Sequence, residues 1–558
     1  MGHEPLPTYF VGWNSFQEES GWLADITSQD DLWQGPMQDE IRSMKAMCQG
    51  LRTACLFILL LPALVASELS VSPLFSDGMV LQSEKPIAVW GKAAPGTEVE
   101  VVLDTCTAKN QAGGDGRWRV NLDPRHAGGP YEMKIKAGAQ EMVFKDVMIG
   151  QVWLCSGQSN MVLEMSKTSE ANAPVENDPL LRVFTLGRKA SAHPDENMSI
   201  KSVEKLYWIG TRADTAASFS AVAYHFGKAI REATGEAVGM IVSAVGGTEI
   251  DTWTDLETLQ SNPELSGIVD RWETHLKQLP ELEAEHAKKL AEWTIEAEKA
   301  KSEGVVPKRQ PAGPVKAGSR NALSANFNAM LYPLIPYTVR GFLWYQGEND
   351  GVPARVNLYE KNFPAFIQSL RRHWKDETLP FYYVQVANYG NRDSDSPSMA
   401  ATIREAQRMA LKLPHVGMAV AIDIGEAQDI HPKNKKDVGL RLARHALANE
   451  YGKSIQKSGP LVKSATRSGE SILVEFTDAE GLNVPDQQAP AQFEVGDESG
   501  RFTKVDAKID GEKVVITWPK EKSASAMRYA WAANPLANLY NAAHLPASPF
   551  QVAVTTQK

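Results

Sequence analysis

The sequence predicts an α/β protein: a mainly parallel sheet covered by helices on both faces, with a β module on either side of it. Three observations carry this. Across residues 147–452, apolar strand-like runs alternate with helical stretches, the pattern of a doubly covered parallel sheet. Residues 68–146 and 453–558 hold only short β runs between turn clusters. The chain has 558 residues, enough for about three to four domains.

The first 67 residues stand apart from this pattern. The apolar run Ala54–Ala66 is shorter than the roughly 20 residues a membrane span needs. Lys45 and Arg52 precede it, and small residues close it at Val65-Ala-Ser67. Basic flank, short apolar run and small-residue exit describe a secretory signal peptide, so export to the periplasm or beyond the cell is expected, with no membrane anchor after cleavage. Such a leader begins at an N-terminus, which makes Met44 or Met47 the expected start and residues 1–43 an extension that does not pack.

In residues 68–146 the runs Pro86–Gly91, Glu98–Leu103, Arg117–Leu122 and Tyr131–Lys136 alternate or stay apolar, separated by turns such as Gly113-Gly-Asp-Gly116. They predict a small β-sandwich-like module. The α/β unit, 147–452, has strand-like runs at Gln151–Leu154, Val238–Ser243, Val339–Trp344, Phe381–Val386 and Gly417–Ile422, with helices such as Ala221–Thr234 and Thr402–Lys412 between them. Charged helical sequence over 263–303 predicts a solvated helical hairpin, followed by the Pro- and Lys-rich linker Gly304–Lys316, so that the whole insertion lies at about 263–316. Residues 453–558 return to β runs at Ser471–Phe476, Gln492–Val495 and Lys513–Trp518.

Composition narrows the function. A net charge of −10 argues against nucleic-acid binding through bulk charge. The four cysteines form no C-x-x-C pair. Export would permit a disulfide between Cys106 and Cys155, but Cys155 ends an apolar run and suits a small buried thiol better. Neither His-Glu-x-x-His nor Gly-x-x-x-x-Gly-Lys occurs, and no histidine cluster has zinc-ligand spacing, so neither metal nor cofactor is expected.

The chemistry is expected beyond the carboxyl ends of the α/β strands. After Val152-Trp-Leu154 comes Cys155-Ser-Gly-Gln-Ser-Asn-Met161, whose tight turn places Ser159 at a helix N-terminus. After Ile241-Val-Ser243 comes a Gly246-Gly247 pair, which lets backbone N–H groups approach a ligand closely. After Phe342-Leu-Trp344 comes Tyr345-Gln-Gly-Glu-Asn-Asp350, which sets two side-chain amides, Gln346 and Asn349, at a strand end. After Ala421-Ile422 comes a loop with Asp429 two residues before His431, so the carboxylate can orient the imidazole as a base for a hydroxyl. Taken singly, each block reads as an ordinary cap, turn or surface pair. Together they hold the parts of an acyl-transfer site.

These blocks, Gly157-Gln-Ser-Asn-Met161, Gly246-Gly-Thr248 with Trp253, Trp344-Tyr-Gln-Gly-Glu348, and Asp429-Ile-His-Pro432 with Asn434-Lys435, resemble the sialate O-acetylesterase family of SGNH (GDSL-like) hydrolases. The resemblance extends over residues 69–556, through Leu74–Gln82, Arg528–Trp531 and Leu545–Ala547. It implies a flavodoxin-like three-layer α/β/α hydrolase domain and hydrolysis of acetyl esters on sugars through an acetyl-enzyme. It implies Ser159 as nucleophile, His431 as base and Asp429 as its orienter; Glu348, Asp350 and Asp423, on neighbouring strand ends, are rival carboxylates. The implied oxyanion donors are the Ser159 N–H, a Gly246 or Gly247 N–H, and the amide of Gln346 or Asn349. The expected partner is an acetylated carbohydrate, sialic acid foremost, with acetylated xylan, xyloglucan or pectin as alternatives. A noncatalytic carbohydrate-binding protein is the rival from another class, and it would lack a member of the triad.

Overall fold

The computed structural model describes residues 68–201, 207–390, 398–485 and 488–556. The leader expected at 1–67 lies outside the described residues. Among those described, no helix is long and apolar enough to cross a membrane.

The central sheet contains strands β1 (Gln140–Gly157), β2 (Asp178–Leu186), β3 (Val238–Ala244), β4 (Gly341–Tyr345), β5 (Phe381–Gln385) and β6 (Val416–Val420), in the spatial order β2-β3-β1-β4-β5-β6. Every pair along this order is parallel. Chain order reverses at β1, which has β3 on one side and β4 on the other, so β1 is the switch point at which open α/β sheets bind ligands.

The strand sequences explain why both faces are covered. Side chains alternate across a strand, so Val152 and Leu154 face one layer while Trp153 and Cys155 face the other. The first layer is aromatic. Helix α3 (Val356–Trp374) brings Phe366 to within 4.6 Å of the Trp344 ring, and Phe363 meets Tyr383 edge-on. On the second face Trp153 meets Phe226 of α1 (Ala221–Thr234) at 5.0 Å. Helix α5 (Lys435–Asn449) lies against α1. A side chain at Gly439 would come within 3.0 Å of the Phe226 nitrogen, so the close helix contact requires glycine there.

Two features depart from the sequence reading. The predicted module boundary at 146/147 falls within β1, whose first half pairs antiparallel with Gly128–Ala137 and whose second half enters the parallel sheet. One continuous strand thus serves both modules. Strand β2 was not anticipated, because Arg182 interrupts its apolar run. In the structure Arg182 is buried and its guanidinium donates to the carbonyls of Gly78, Asp146 and Pro179 and to the Asp146 carboxylate.

The insertion also differs from the predicted hairpin. A single 37-residue helix, α2 (Ser266–Ser302), forms the outward limb. The return limb is irregular: His275 and His286 contact the Val315 and Pro311 carbonyls, and the Trp293 indole donates to the Lys308 carbonyl. The turn expected within 263–303 is absent, while 304–316 is the non-helical linker its sequence predicts, since Pro307, Pro311 and Pro314 each remove an N–H that a helix would need.

The N-terminal module has a three-stranded sheet (Ser70–Val71, Ile87–Lys92, Arg117–Leu122) and a second antiparallel set that runs into β1. The C-terminal module is an eight-stranded sheet spanning Leu461 to Thr556. Arg404, on α4 (Met399–Met409), joins that module to the α/β unit: fully buried, it donates to the carbonyls of Val386 and Ala387 and to those of Ala532 and Ala533. Cys106 and Cys155 are both free thiols, and burial raises the Cys155 thiol well above its ordinary range.

Candidate active site

Gly157 is in register with Ala244 of β3 and Tyr345 of β4, so three strands end side by side. Its φ is +131°, and a Cβ there would lie 2.2 Å from the Tyr345 carbonyl oxygen. The Gln158 N–H donates to that same oxygen at 2.9 Å. The turn thus projects Ser159 as the first residue of a one-turn helix, Ser159–Val162. The Gly246 turn closes over it: the Val245 N–H donates to the Gly157 carbonyl at 3.0 Å, and a Cβ on Gly246 would sit 3.2 Å from Ser159 Cβ. Gly247 takes a φ of +71°.

His431 arrives on the loop after β6. The Gly425 N–H donates to Asn388 Oδ1 and the Lys433 N–H to Glu426 Oε1, and these bonds shape the loop. His431 Nε2 lies 2.8 Å from Ser159 Oγ. On its other side Nδ1 is 3.4 Å from Asp429 Oδ1, which also accepts the His431 backbone N–H at 2.8 Å. The Asp429 side chain is 47% exposed, so water attenuates its charge.

The rival carboxylates are engaged elsewhere. Asp423 forms a two-pronged pair with Arg441 at 2.6 and 2.8 Å. Asp350 accepts from the Gln346 amide and from the Ile250 N–H. Glu348 accepts from the side-chain amides of Gln158 and Asn160. Burial pushes the Glu348 carboxyl above its ordinary range, against the Asn160 amide and the charges of Lys435 and His431.

The structure places both expected amide donors on acceptors behind the strand ends. Gln346 is fully buried and its amide donates to the Thr248 carbonyl as well as to Asp350. Asn349 donates to Glu249 Oε1 at 2.8 Å. Neither residue lines the cavity at Ser159. The buried carboxylates Asp350 and Glu249 hold these amides away from the serine.

The cavity has a volume of about 440 Å³ and is bordered by Ser159, His431 and Asp429. Its wall carries four cations, Lys167, Arg188, Lys201 and Lys433, against one further acid, Glu164. Glu164 pairs with Lys167 at 2.9 Å and with Lys201 at 3.7 Å. Arg188 and Lys433 have no ion-pair partner among the described residues. Sequence reading missed this cationic wall, because Arg188 follows the unanticipated β2. Among the described residues no cluster of His, Cys, Asp or Glu could hold a metal ion.

A family profile described as carbohydrate esterase, sialic acid-specific acetylesterase, matches residues 149–284 and 320–448. A solved carbohydrate acetylesterase from Xanthomonas citri is 31% identical, covers 87% of this chain and 99% of its own, and superposes with a TM-score of 0.71. The chain belongs to the sialic acid-specific acetylesterase family of carbohydrate esterases. It is accordingly a carboxylic ester hydrolase. Sialate O-acetylesterases of Mus musculus and Homo sapiens are 28% and 26% identical to it, over 85% and 86% of this chain and 92% of each relative. The two stretches matched by the acetylesterase family leave out 285–319, the outer part of the inserted arm.

The Gly157 turn yields a test. Gly157→Ala combines a φ that L-residues avoid with a backbone clash, a cost of roughly 2 kcal/mol or more. The expected outcome is a lower thermal midpoint and lost esterase activity, and an unchanged midpoint would contradict the turn geometry.

Proposed function

We propose that the protein removes O-acetyl groups from sugars by a serine mechanism, with Ser159 as nucleophile and His431 as general base. The observation that carries this reading is the 2.8 Å approach of Ser159 Oγ to His431 Nε2 at the edge of an open cavity. In the first step Oγ attacks the acetyl carbonyl and passes its proton to Nε2. The N–H groups of Ser159 and Gly246 hold the oxyanion. Collapse expels the sugar hydroxyl, which takes the proton from His431. Water then attacks the acetyl-serine, gives its proton to Nε2, and acetate leaves as Ser159 is reprotonated. Asp429 orients the imidazole and offsets its positive charge.

The sugar is one that carries a carboxylate, as sialic acid does. Arg188 and Lys433 are cations on the cavity wall without counter-ions among the described residues, and an anionic substrate supplies what they lack. A neutral xylan chain would leave both unpaired. The apolar run at Ala54–Ala66 supports export before action.

Three outcomes are expected. Ser159→Ala and His431→Ala each lower kcat by about 10⁴-fold or more, and the double variant loses little beyond either single one. Asp429→Asn loses less than Ser159→Ala, because its carboxylate is exposed and stands 3.4 Å from the ring. Near-wild-type turnover of p-nitrophenyl acetate by purified Ser159→Ala would defeat the mechanism. For substrate choice, Arg188→Gln raises KM about tenfold for an acetylated acid sugar and leaves p-nitrophenyl acetate hydrolysis unchanged. Equal kcat/KM on acetylated xylo-oligosaccharides and acid sugars would refute the charge argument. For export, N-terminal sequencing of secreted protein should begin near Ser67, and a start upstream of residue 44 would exclude the leader.

A further inference from the structure

Glu348 begins the short turn Glu348–Asp350 that follows β4. Its two carboxylate oxygens receive the side-chain amides of Gln158 and Asn160, the residues immediately before and after Ser159. Both amide residues are buried. The Asn160 Nδ2 also donates to the Ile430 carbonyl at 3.1 Å, the peptide that leads into His431. Its Oδ1 accepts from Lys435 Nζ at 2.7 Å. An ammonium group only donates, so Lys435 settles which end of the Asn160 amide faces Glu348 and Ile430. Lys435 is fully buried, with its Nζ 5.3 Å from the centre of the Tyr345 ring, and burial lowers its pKa to about 8. Glu348, Asn160 and Lys435 do not line the cavity.

Ser159 and His431 are 272 positions apart and stand on different segments, so something must hold those segments at one separation. Asn160 touches both. Glu348 grips both flanks of the nucleophile turn and orients the amide that reaches across to the histidine loop. We propose that Glu348 is a positioning residue: acting with Asn160 and Lys435, it sets the separation of Ser159 and His431 without touching substrate. This rests on the serine mechanism above. In Glu348→Gln the side chain keeps its size, but one of its two acceptor oxygens becomes an NH₂ facing an amide donor. The clamp opens on one side. A misplacement of about 1 Å between reacting groups costs on the order of 10²-fold in rate while leaving substrate contacts intact.

The test uses the full chain and p-nitrophenyl acetate. Glu348→Gln is expected to lower kcat by roughly 10- to 100-fold, with KM changed by less than about threefold and the thermal midpoint within a few degrees of wild type. Asn160→Ala, which removes the same bridge from its other end, should show the same split. The double variant should lose no more than the worse single variant, because the two residues act as one unit. Wild-type kcat in either single variant would overturn the proposal, and so would a double loss equal to the product of the single losses. A rise in KM at constant kcat would overturn it too, by making Glu348 a substrate contact. If Glu348→Gln does not fold, Asn160→Ala decides the matter alone. An inactive Ser159→Ala beside a fully active Glu348→Gln would refute only this proposal, whereas an active Ser159→Ala would refute the mechanism beneath it.

Discussion

Three parallel strands ending in one row are the constraint from which the rest of the site follows. Ala244, Gly157 and Tyr345 are register partners, so the turns that leave β3, β1 and β4 emerge side by side. At Gly157 the neighbouring backbone stands where a Cβ would be, and only glycine lets the strands close. The Ser159 turn cannot shift without breaking the hydrogen bonds of Gln158 to Tyr345 and of Val245 to Gly157. This rigidity is what a preorganised oxyanion site needs: its dipoles are placed before charge develops, so little reorganisation accompanies the reaction.

The histidine side of the site is built differently. His431 lies on a loop rather than a strand, and its position depends on polar contacts with several elements. Asn388 receives the Gly425 N–H and donates to Asn534 of the C-terminal module. Arg404 holds both the 386–387 and 532–533 backbones. A buried guanidinium is costly unless its donors are satisfied, and here four carbonyls satisfy them. The C-terminal module is therefore structural support for the loop that follows β6, which is a physical reason for its staying attached to the hydrolase unit. The arm formed by α2 and its return limb has no such coupling along its outer length: the family match omits that part, and its contacts there are largely within the arm itself.

Charge is partitioned in the same way. Carboxylates behind the strand ends hold the amides and backbone groups in place, whereas the cations without an ion-pair partner among the described residues face the cavity. The buried groups set geometry, and the exposed ones are the charges a substrate would meet in the proposed reading. A single cluster could not serve both ends, because a charge already paired in the interior has little left to offer a ligand.

Local periodicity made much of the fold legible. Glu98–Leu103, Arg117–Leu122 and Ala221–Thr234 have the bounds the sequence predicts, since apolar alternation and helix spacing are properties of neighbouring residues. The strand-end blocks containing Ser159, Gly246, Gln346 and His431 were visible for the same reason: a short polar run after an apolar strand marks a loop at a sheet edge. Long-range partners were not visible. Arg182 reads as a break in a strand until the carbonyls of Gly78 and Asp146 are placed around it. Gln346 and Asn349 read as free donors until Asp350 and Glu249 are seen to take them. Glu348 reads as one of several rival carboxylates until strand register sets it against both neighbours of Ser159. Residue type and short spacing are written along the chain, and they determined the layers and the kinds of chemistry available. Which donor meets which acceptor across some 190 positions is decided by the register of β1 against β4, and that register exists only in the folded sheet.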